Sequence, residues 1–387
     1  MQFKEIVNLA VALWKINEVS TPLCILGQPG IGKSAVAPVI AREMTKYVQA
    51  KSALTPPAMC TIIDLSSRLP EDIGGIPFRG TITFGNGDPI TVAEYGVQKW
   101  LAYLCQPGVY GVLLFDDLPA AAPSVQVAVR QLLLDRMVGE NKLSEGIAIL
   151  VTGNRREDKS AASTLPAHVR NSLMIIELDT DLDSWADWYG AQPGHAPVVA
   201  AFLRYRPLFH SRLPKDADKL GAFATPRTWA KLGRVYETAH NLTLTYPVAT
   251  GLVGEGPATE FLAFVNVRSQ LVDPASVLRD PIKAMPDPRA SLASADRAYA
   301  MATGLGEVAA AWRKSSDKEL NSIAGLAFLR AVGHVTSGSR EHISTAVSTY
   351  TSNGGNINDL VTAGRANLKD PLVLGVVQFL AQTFGGK

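Results

Sequence analysis

The chain has 387 residues, of which 19% are charged, and its formal net charge is +2. This length predicts two or three domains with a large buried core. The near-neutral balance argues against a protein that coats a polyanion, although a local basic pore would not show in it.

The three cysteines, Cys24, Cys60 and Cys105, are far apart and lack C-x-x-C spacing. They are therefore expected to be buried, reduced thiols, and neither a disulfide framework nor a zinc site. The N-terminus has no signal-peptide pattern, and no apolar run approaches the roughly 18–20 residues of a membrane span. We expect a cytoplasmic protein without a membrane span.

An amphipathic helix is predicted over residues 3–18, followed by a buried parallel strand at 22–26. The next segment fits the phosphate-binding loop pattern G-x-x-x-x-G-K-[ST] without a mismatch. It consists of Gly27, Gln28, Pro29, Gly30, Ile31, Gly32, Lys33 and Ser34.

The residue types of this loop suit a nucleoside triphosphate. Glycines let backbone N–H groups approach phosphate oxygens, and the helix predicted from Ser34 to Val48 adds free N–H groups and a positive dipole end. Lys33 would reach the β- and γ-phosphates, and the Ser34 hydroxyl would bind Mg²⁺.

Two features of the following stretch interrupt the expected alternation of strands and helices. Pro38 removes one backbone hydrogen bond from the helix after the loop and is expected to bend it. After a second strand at 61–65, β-like pieces at 81–84 and 89–92 flank Gly-Asn-Gly-Asp, a strong hairpin signal, and a helix resumes at 96–105. The hairpin is either a plain surface hairpin or a loop that faces a substrate.

The third predicted strand, at 109–118, carries two acidic residues near its end, Asp116 and Asp117. Such a strand, of the Walker B type, brings its first acid to the carboxyl end of the sheet, where it can hold Mg²⁺ through water. The second acid can orient or deprotonate an attacking water. The pattern is common on its own, but downstream of a phosphate loop it predicts a metal-binding Asp116 and a catalytic Asp117.

A fourth strand, at 146–152, leads to Asn154, and a fifth is predicted at 173–178. A polar side chain at that position would lie between the acid pair and the γ-phosphate. Asn154 is therefore predicted to hold the attacking water and to sense the phosphate, although an Asn in a turn is unremarkable by itself. Strands alternating with helices predict a parallel α/β sheet with the ligand at the strands' carboxyl ends.

From residue 181 the pattern is helical. Thr225 and Pro226 are predicted to begin a helix as its cap and first residue. Arg227 then falls in the first turn, which disfavours a cation on dipole grounds and suits a nearby phosphate. The alternative is an ordinary exposed arginine.

The rest of the chain carries no chemical motif. Residues 251–270 are predicted to form one helix, and residues 272–289, with four prolines, a linker. Several further helices are predicted from residue 290 onward, without an internal repeat.

Together these motifs resemble those of AAA+ ATPases, and more narrowly the MoxR group with its bacterial and phage single-chain members. The resemblance covers roughly residues 5–275 and rests on segments that agree in order and spacing: the phosphate loop, Leu114–Pro119 with Ala122–Gln126, Leu134–Glu140, Gly153–Arg155 and Ala224–Trp229.

The resemblance implies a P-loop NTPase fold, a parallel sheet flanked by helices, with an α-helical lid and a helical C-terminal extension. Its core would span residues 1–180, the lid 181–275, and a linker and helical region of unknown role 276–387. The hairpin near 79–92 would be the insert in helix 2, which in this clade projects into the pore of a ring.

Three departures from the family pattern stand out. Asp117 stands where the family usually has Glu, and its side chain is one methylene shorter. Ser172 stands where an arginine finger is expected, and Arg170, two residues earlier, becomes the best candidate, with Arg155 and Arg156 in reserve. A simple surface charge is the alternative for Arg170. The last hundred residues lie outside the resemblance.

The implied function is that of an ATP-driven homo-oligomeric ring, a hexamer, with ATP and Mg²⁺ at each subunit interface. Asp117 and Asn154 would position water, while Arg170 from a neighbour and Arg227 from the lid stabilise charge. Such rings remodel or activate a partner protein, often one with a von Willebrand A domain.

Two rival functions stay open. A nucleic-acid translocase or helicase is disfavoured by the near-neutral charge and the few basic residues in the hairpin. A nucleotide-gated scaffold with little hydrolysis is kept open by Asp117 and Ser172.

Overall fold

The computed structural model describes residues 1–85, 87–155, 158, 165–214, 221–238 and 246–384. The chain divides into two compact units, Met1–Asp181 and Leu182–Lys387. In the described residues no helix combines the length and the apolar character that crossing a membrane requires.

The first unit is an α/β layer structure. Its helices are α1 (Phe3–Lys15), α2 (Val36–Gln49), α3 (Glu71–Gly74), α4 (Lys99–Leu104), α5 (Pro123–Asp135) and α6 (Ala167–Arg170). Its strands are β1 (Leu23–Leu26), β2 (Met59–Asp64), β3 (Ile76–Ile82), β4 (Ile90–Gly96), β5 (Tyr110–Asp116), β6 (Met137–Val138), β7 (Asn141–Lys142), β8 (Gly146–Gly153) and β9 (Met174–Glu177).

Five of these strands form a parallel sheet in the order β2-β5-β8-β1-β9. The three central strands are apolar along their length because helices cover both faces of the sheet. On one face Ile25 and Leu114 pack with Ile40 of α2, and on the other Phe115 packs with Val129 of α5. The predicted parallel sheet flanked by helices is confirmed.

The three cysteines differ in how deeply they are buried. Cys24 on β1 is buried, and burial raises the pKa of its thiol to about 12. Cys105 is partly buried, and Cys60 is exposed on the edge strand β2. The prediction of buried thiols is therefore correct for Cys24 and wrong for Cys60, which lies on the face of β2 that also leaves Ile62 and Asp64 exposed.

Helix α2 begins two residues later than predicted. The N–H groups of Ala35 and Val36 donate to the carbonyls of Gly32 and Lys33 at 3.0 and 3.3 Å, so a tight turn precedes the helix. Pro38 is then the third residue of α2, where N–H groups have no intrahelical partner. Contrary to the prediction, Pro38 removes no hydrogen bond from the helix.

Strands β3 and β4 form the predicted hairpin, which lies between α3 and α4. Pairing runs from Ile76 opposite Gly96 to Ile82 opposite Ile90, so the hairpin extends beyond residues 79–92 at both ends. Alternation along the strands groups its large apolar side chains on one face, which also carries Glu94 opposite Phe78. This face carries four side chains that are 41–59% exposed, Ile76, Phe78, Ile82 and Ile90. Asn86 of the predicted turn lies outside the described residues.

The described residues of the second unit form helices joined by short connections, with one isolated β-bridge between Arg212 and Ala224. Its helices are α7 (Leu182–Gly190), α8 (Pro197–Tyr205), α9 (Pro226–Thr238), α10 (Tyr246–Val253), α11 (Glu255–Ser269), α12 (Pro274–Arg279), α13 (Pro281–Ala284), α14 (Pro288–Ser291), α15 (Ala295–Arg313), α16 (Lys318–Thr336), α17 (Arg340–Ser352), α18 (Ile357–Ala366) and α19 (Pro371–Phe384). Large buried aromatic residues, among them Phe202, Trp229 and Phe328, form its cores.

The predicted single helix over 251–270 is broken at Gly254. Its φ is +85°, and a Cβ there would lie 2.6 Å from the carbonyl oxygen of Ala222. Glycine is the residue that tolerates both constraints, and it ends α10 and starts α11.

The proline-rich segment 272–289 is not an extended linker. An Asp-Pro pair recurs at Asp273, Asp280 and Asp287, and each begins a short helix. Each aspartate carboxylate accepts backbone N–H groups of the first turn, and each proline takes the first helical position. Val277, Leu278 and Met285 from this segment are buried in the core beside α15 and α16.

Candidate active site

The phosphate-loop segment connects β1 to α2 at the carboxyl end of the sheet. Gly30 and Gly32 have φ values of +79° and +102°, which side chains rarely adopt. A Cβ on Gly27 would lie 2.9 Å from the Leu178 carbonyl oxygen. Each of the three motif glycines therefore lies where a side chain would strain the backbone or clash with it.

Lys33 is buried and directed back across the loop. Its ammonium donates to the carbonyl oxygens of Gly27 and Gln28 at 2.9 and 2.7 Å, and to Asn154 Oδ1 at 2.7 Å. The last contact joins the loop to the end of β8, so the structure brings two predicted site residues together.

Asp116, the last residue of β5, is the centre of a second set of contacts. The Ser34 hydroxyl lies 2.7 Å from both of its carboxylate oxygens. The Thr152 hydroxyl donates to the same carboxylate from the neighbouring strand β8. The two residues predicted to bind Mg²⁺, Ser34 and Asp116, are therefore in direct contact.

Asp117 adopts a left-handed conformation, with φ +57° and ψ +43°. Its N–H donates to Thr152 Oγ1 at 3.1 Å, and Asn154 Nδ2 lies 3.5 Å from its carboxylate. Burial, reinforced by the adjacent Asp116 charge, raises the pKa of the Asp117 carboxyl, and nearby Lys33 offsets part of this rise. A carboxyl of this kind is suited to accepting a proton.

The donor set fits a metal ion that binds together with phosphates. Within the described parts of the chain, no three His, Cys, Asp or Glu side chains are grouped to hold a metal by themselves. Mg²⁺ in phosphate-transfer sites takes one or two protein oxygens and completes its shell with water and phosphate oxygens. Ser34 and Asp116 supply such oxygens beside the loop.

The arginine-finger candidates differ in their surroundings. Arg170 is exposed at the end of α6, and the Ser172 hydroxyl donates to the Val169 carbonyl oxygen at 2.7 Å. Arg155 makes a two-pronged ion pair with Asp158, both contacts at 3.1 Å. Arg155 is therefore engaged within its own unit, and Arg156 lies outside the described residues.

Arg227 belongs to the second unit, where α9 begins as predicted. Thr225 Oγ1 accepts the Thr228 N–H at 3.2 Å, and Thr228 Oγ1 accepts the Thr225 N–H at 2.8 Å. This reciprocal cap and Pro226 fix the first turn. Arg227 is exposed in that turn.

Thr152 is the site residue that the sequence reasoning missed. The available signal was a single hydroxyl residue inside the apolar run of β8. A buried hydroxyl in such a run needs hydrogen-bond partners. Asp116 and Asp117, at the end of the neighbouring strand β5, provide them.

No protein-family model and no curated protein sequence matches the chain. Among solved structures, it is similar to the RuvB Holliday junction branch migration motor of Thermotoga maritima, with 15% identity and a TM-score of 0.36 over 76% of this chain and 82% of that one. It is also similar to a DNA polymerase III gamma subunit-related protein of the same organism, with 11% identity and a TM-score of 0.31 over 96% and 97%. At TM-scores this low the likenesses carry no functional argument.

A substitution that removes the charge of Asp117 tests the electrostatics of this site. Because the native pKa of Asp117 is raised, its ionisation destabilises the folded state. Asp117→Asn, which keeps shape and tolerates the left-handed backbone, is expected to raise the free energy of unfolding at neutral pH. The gain should shrink as pH falls through the raised pKa and vanish below the ordinary aspartate value of about 3.9. Denaturant unfolding across pH measures this.

Asp135→Asn, at an exposed position on α5, controls for the loss of one negative charge. A variant at Asp117 that is less stable than the native chain at neutral pH would contradict the electrostatic assignment.

Proposed function

We propose that this chain is an ATPase of the AAA+ type that couples ATP hydrolysis to work on a partner protein. One observation carries the proposal: hydrogen bonds link the loop residues Lys33 and Ser34 to the polar ends of β5 and β8. A glycine-rich turn without a role in phosphate chemistry has no need of such links.

In this proposal the loop amides and Lys33 bind the phosphates of ATP. Ser34 and Asp116 hold Mg²⁺, which when bound neutralises charge on the phosphates. Asn154 and Asp117 orient the water that attacks the γ-phosphate, and Asp117, whose carboxyl has a raised pKa, accepts its proton. The products are ADP and phosphate.

The assembly we propose is a homo-oligomeric ring, hexameric as in the MoxR group. Arg170 is exposed at the end of a helix, which suits a cation offered to the nucleotide of a neighbouring subunit. Arg227, exposed in the first turn of α9, takes the role of a cation that responds to nucleotide through the helical lid.

The partner we propose is a protein, of MoxR type in its remodelling or activation, with a von Willebrand A domain protein as one candidate. The hairpin supports a protein partner over nucleic acid. One exposed face is mainly apolar, its charged side chain is the acidic Glu94, and Arg79 is the one basic residue between 76 and 96. Apolar exposed surface fits protein segments, whereas phosphate backbones require several cations.

Removing the loop lysine tests the proposed activity. Lys33→Ala is expected to lower ATP turnover by about 10²–10³-fold, because the cation that stabilises phosphate charge is lost. Phosphate release by the purified chain with ATP and Mg²⁺ is the measurement. Lys46→Ala is the matched control, since Lys46 is an exposed lysine of α2, the helix that follows the loop, and is paired with Glu43.

Unchanged turnover in Lys33→Ala would overturn the ATPase proposal. A native chain that assembles with ATP yet releases negligible phosphate over hours would instead favour the scaffold, and turnover stimulated by DNA and lost with added salt would favour the nucleic-acid motor.

Mixing two inactive variants tests the role of Arg170. Arg170→Ala and Lys33→Ala should each turn over little ATP. In a mixed ring about a quarter of the interfaces pair an intact loop with an intact arginine from the neighbour, so activity should reappear on mixing. His168→Ala, an exposed position on the same helix, is the control. Full activity in Arg170→Ala, or no recovery on mixing, would exclude a finger supplied across the interface.

A further inference from the structure

Thr152 is a polar residue that the sheet buries completely, with 0% of its surface exposed. It lies on β8, directly beside Ile25 of β1, one residue before the strand ends at Gly153. A hydroxyl buried at this place has to be satisfied by the protein. Its two partners belong to the neighbouring strand end, at Asp116 and Asp117.

The two hydrogen bonds use the hydroxyl in both of its capacities. Its proton is donated to the Asp116 carboxylate, and its oxygen accepts the N–H of Asp117 at 3.1 Å. Because the proton is committed to one acid, a lone pair is directed to the backbone of the other. One atom therefore fixes the side chain of the first acid and the main chain of the second.

The second contact is made to a left-handed backbone. This conformation is uncommon for a non-glycine residue, although aspartate adopts it more readily than most, so contacts that hold it in place matter. This conformation places Asp117 within reach of Asn154 and sends the following residue, Leu118, into the core with 0% exposure. The acceptor on Thr152 is the polar partner of the N–H in this turn.

We propose that Thr152 is a positioning residue that sets the orientation of Asp116 and Asp117 relative to each other. Through Asp116 it presents the carboxylate to Ser34 and to Mg²⁺, and through the Asp117 backbone it holds the water-orienting acid toward Asn154. The inference rests on the proposed ATPase function for its catalytic consequence, and on the geometry alone for the structural one.

Two substitutions separate this role from simple packing. Thr152→Val keeps the volume and both branches and removes the hydroxyl, whereas Thr152→Ser keeps the hydroxyl and removes the methyl group. If Thr152 only fills space, Val is the milder change. If it positions the acids, Ser is the milder change. Val then has the effect of removing a hydrogen-bond partner from the carboxylate that binds the metal.

The first readout needs no nucleotide. Hydrogen–deuterium exchange of the peptide that contains Asp117 should be faster in Thr152→Val than in the native chain, and close to native in Thr152→Ser. The second readout is binding of a fluorescent ATP analogue. Without Mg²⁺ both variants should bind like the native chain. With Mg²⁺ the half-saturating metal concentration should rise by about 10- to 100-fold in Thr152→Val and stay near native in Thr152→Ser.

The third readout is ATP turnover, in which kcat should fall for Thr152→Val while KM for ATP changes little. Should Thr152→Val not fold, Thr152→Ala and Thr152→Ser form a second pair that differs by the hydroxyl alone. The role of Thr152 would be overturned if the native chain hydrolyses ATP and the variants without the hydroxyl behave like Thr152→Ser. The comparison covers both hydrogen–deuterium exchange and the Mg²⁺ dependence of binding. A native chain that does not hydrolyse ATP would overturn the proposed function, while the exchange experiment would still decide the positioning role.

Discussion

The Asp116 carboxylate makes the hydrogen bonds on which the arrangement of the sheet's carboxyl edge depends. It accepts hydrogen bonds from the hydroxyls of Ser34 and Thr152, which lie 82 and 36 residues away in the chain. These bonds, with the one from Lys33 to Asn154, join the ends of β1, β5 and β8. The order β5-β8-β1 in the sheet makes these contacts possible, because parallel neighbours bring their carboxyl ends to one edge.

The site carries local costs that the rest of the sheet offsets. Asp117 is partly buried, beside another carboxylate, and in a left-handed backbone conformation. Each of these features disfavours folding on its own, and they coincide at the residue that we propose accepts a proton. The central strands on either side have almost fully buried apolar residues, which hold the turn in place. The folded state is thus locally destabilised at the residue to which the proposed function assigns the attacking water.

The sequence allowed the sheet, the loop and its polar neighbours to be predicted, because apolar runs and glycine spacing are local signals. The predictions at Pro38 and Gly254 were wrong, since hydrogen bonds of the preceding turn and a nearby carbonyl oxygen decide where those helices start and end. Thr152 was missed because its role depends on the strand order, which no local pattern contains. The place of Arg170 and Arg227 in an assembled ring stays a prediction.

The proposed function requires that the loop and the ends of β5 and β8 form one site for ATP with Mg²⁺. An equilibrium titration of the purified chain with a fluorescent ATP analogue tests it most directly. We expect one saturable site per chain, from which ATP displaces the analogue. Mg²⁺ should raise the affinity of the native chain for the analogue and should not raise that of Ser34→Ala. The absence of saturable binding, or binding whose Mg²⁺ dependence survives in Ser34→Ala, would contradict it.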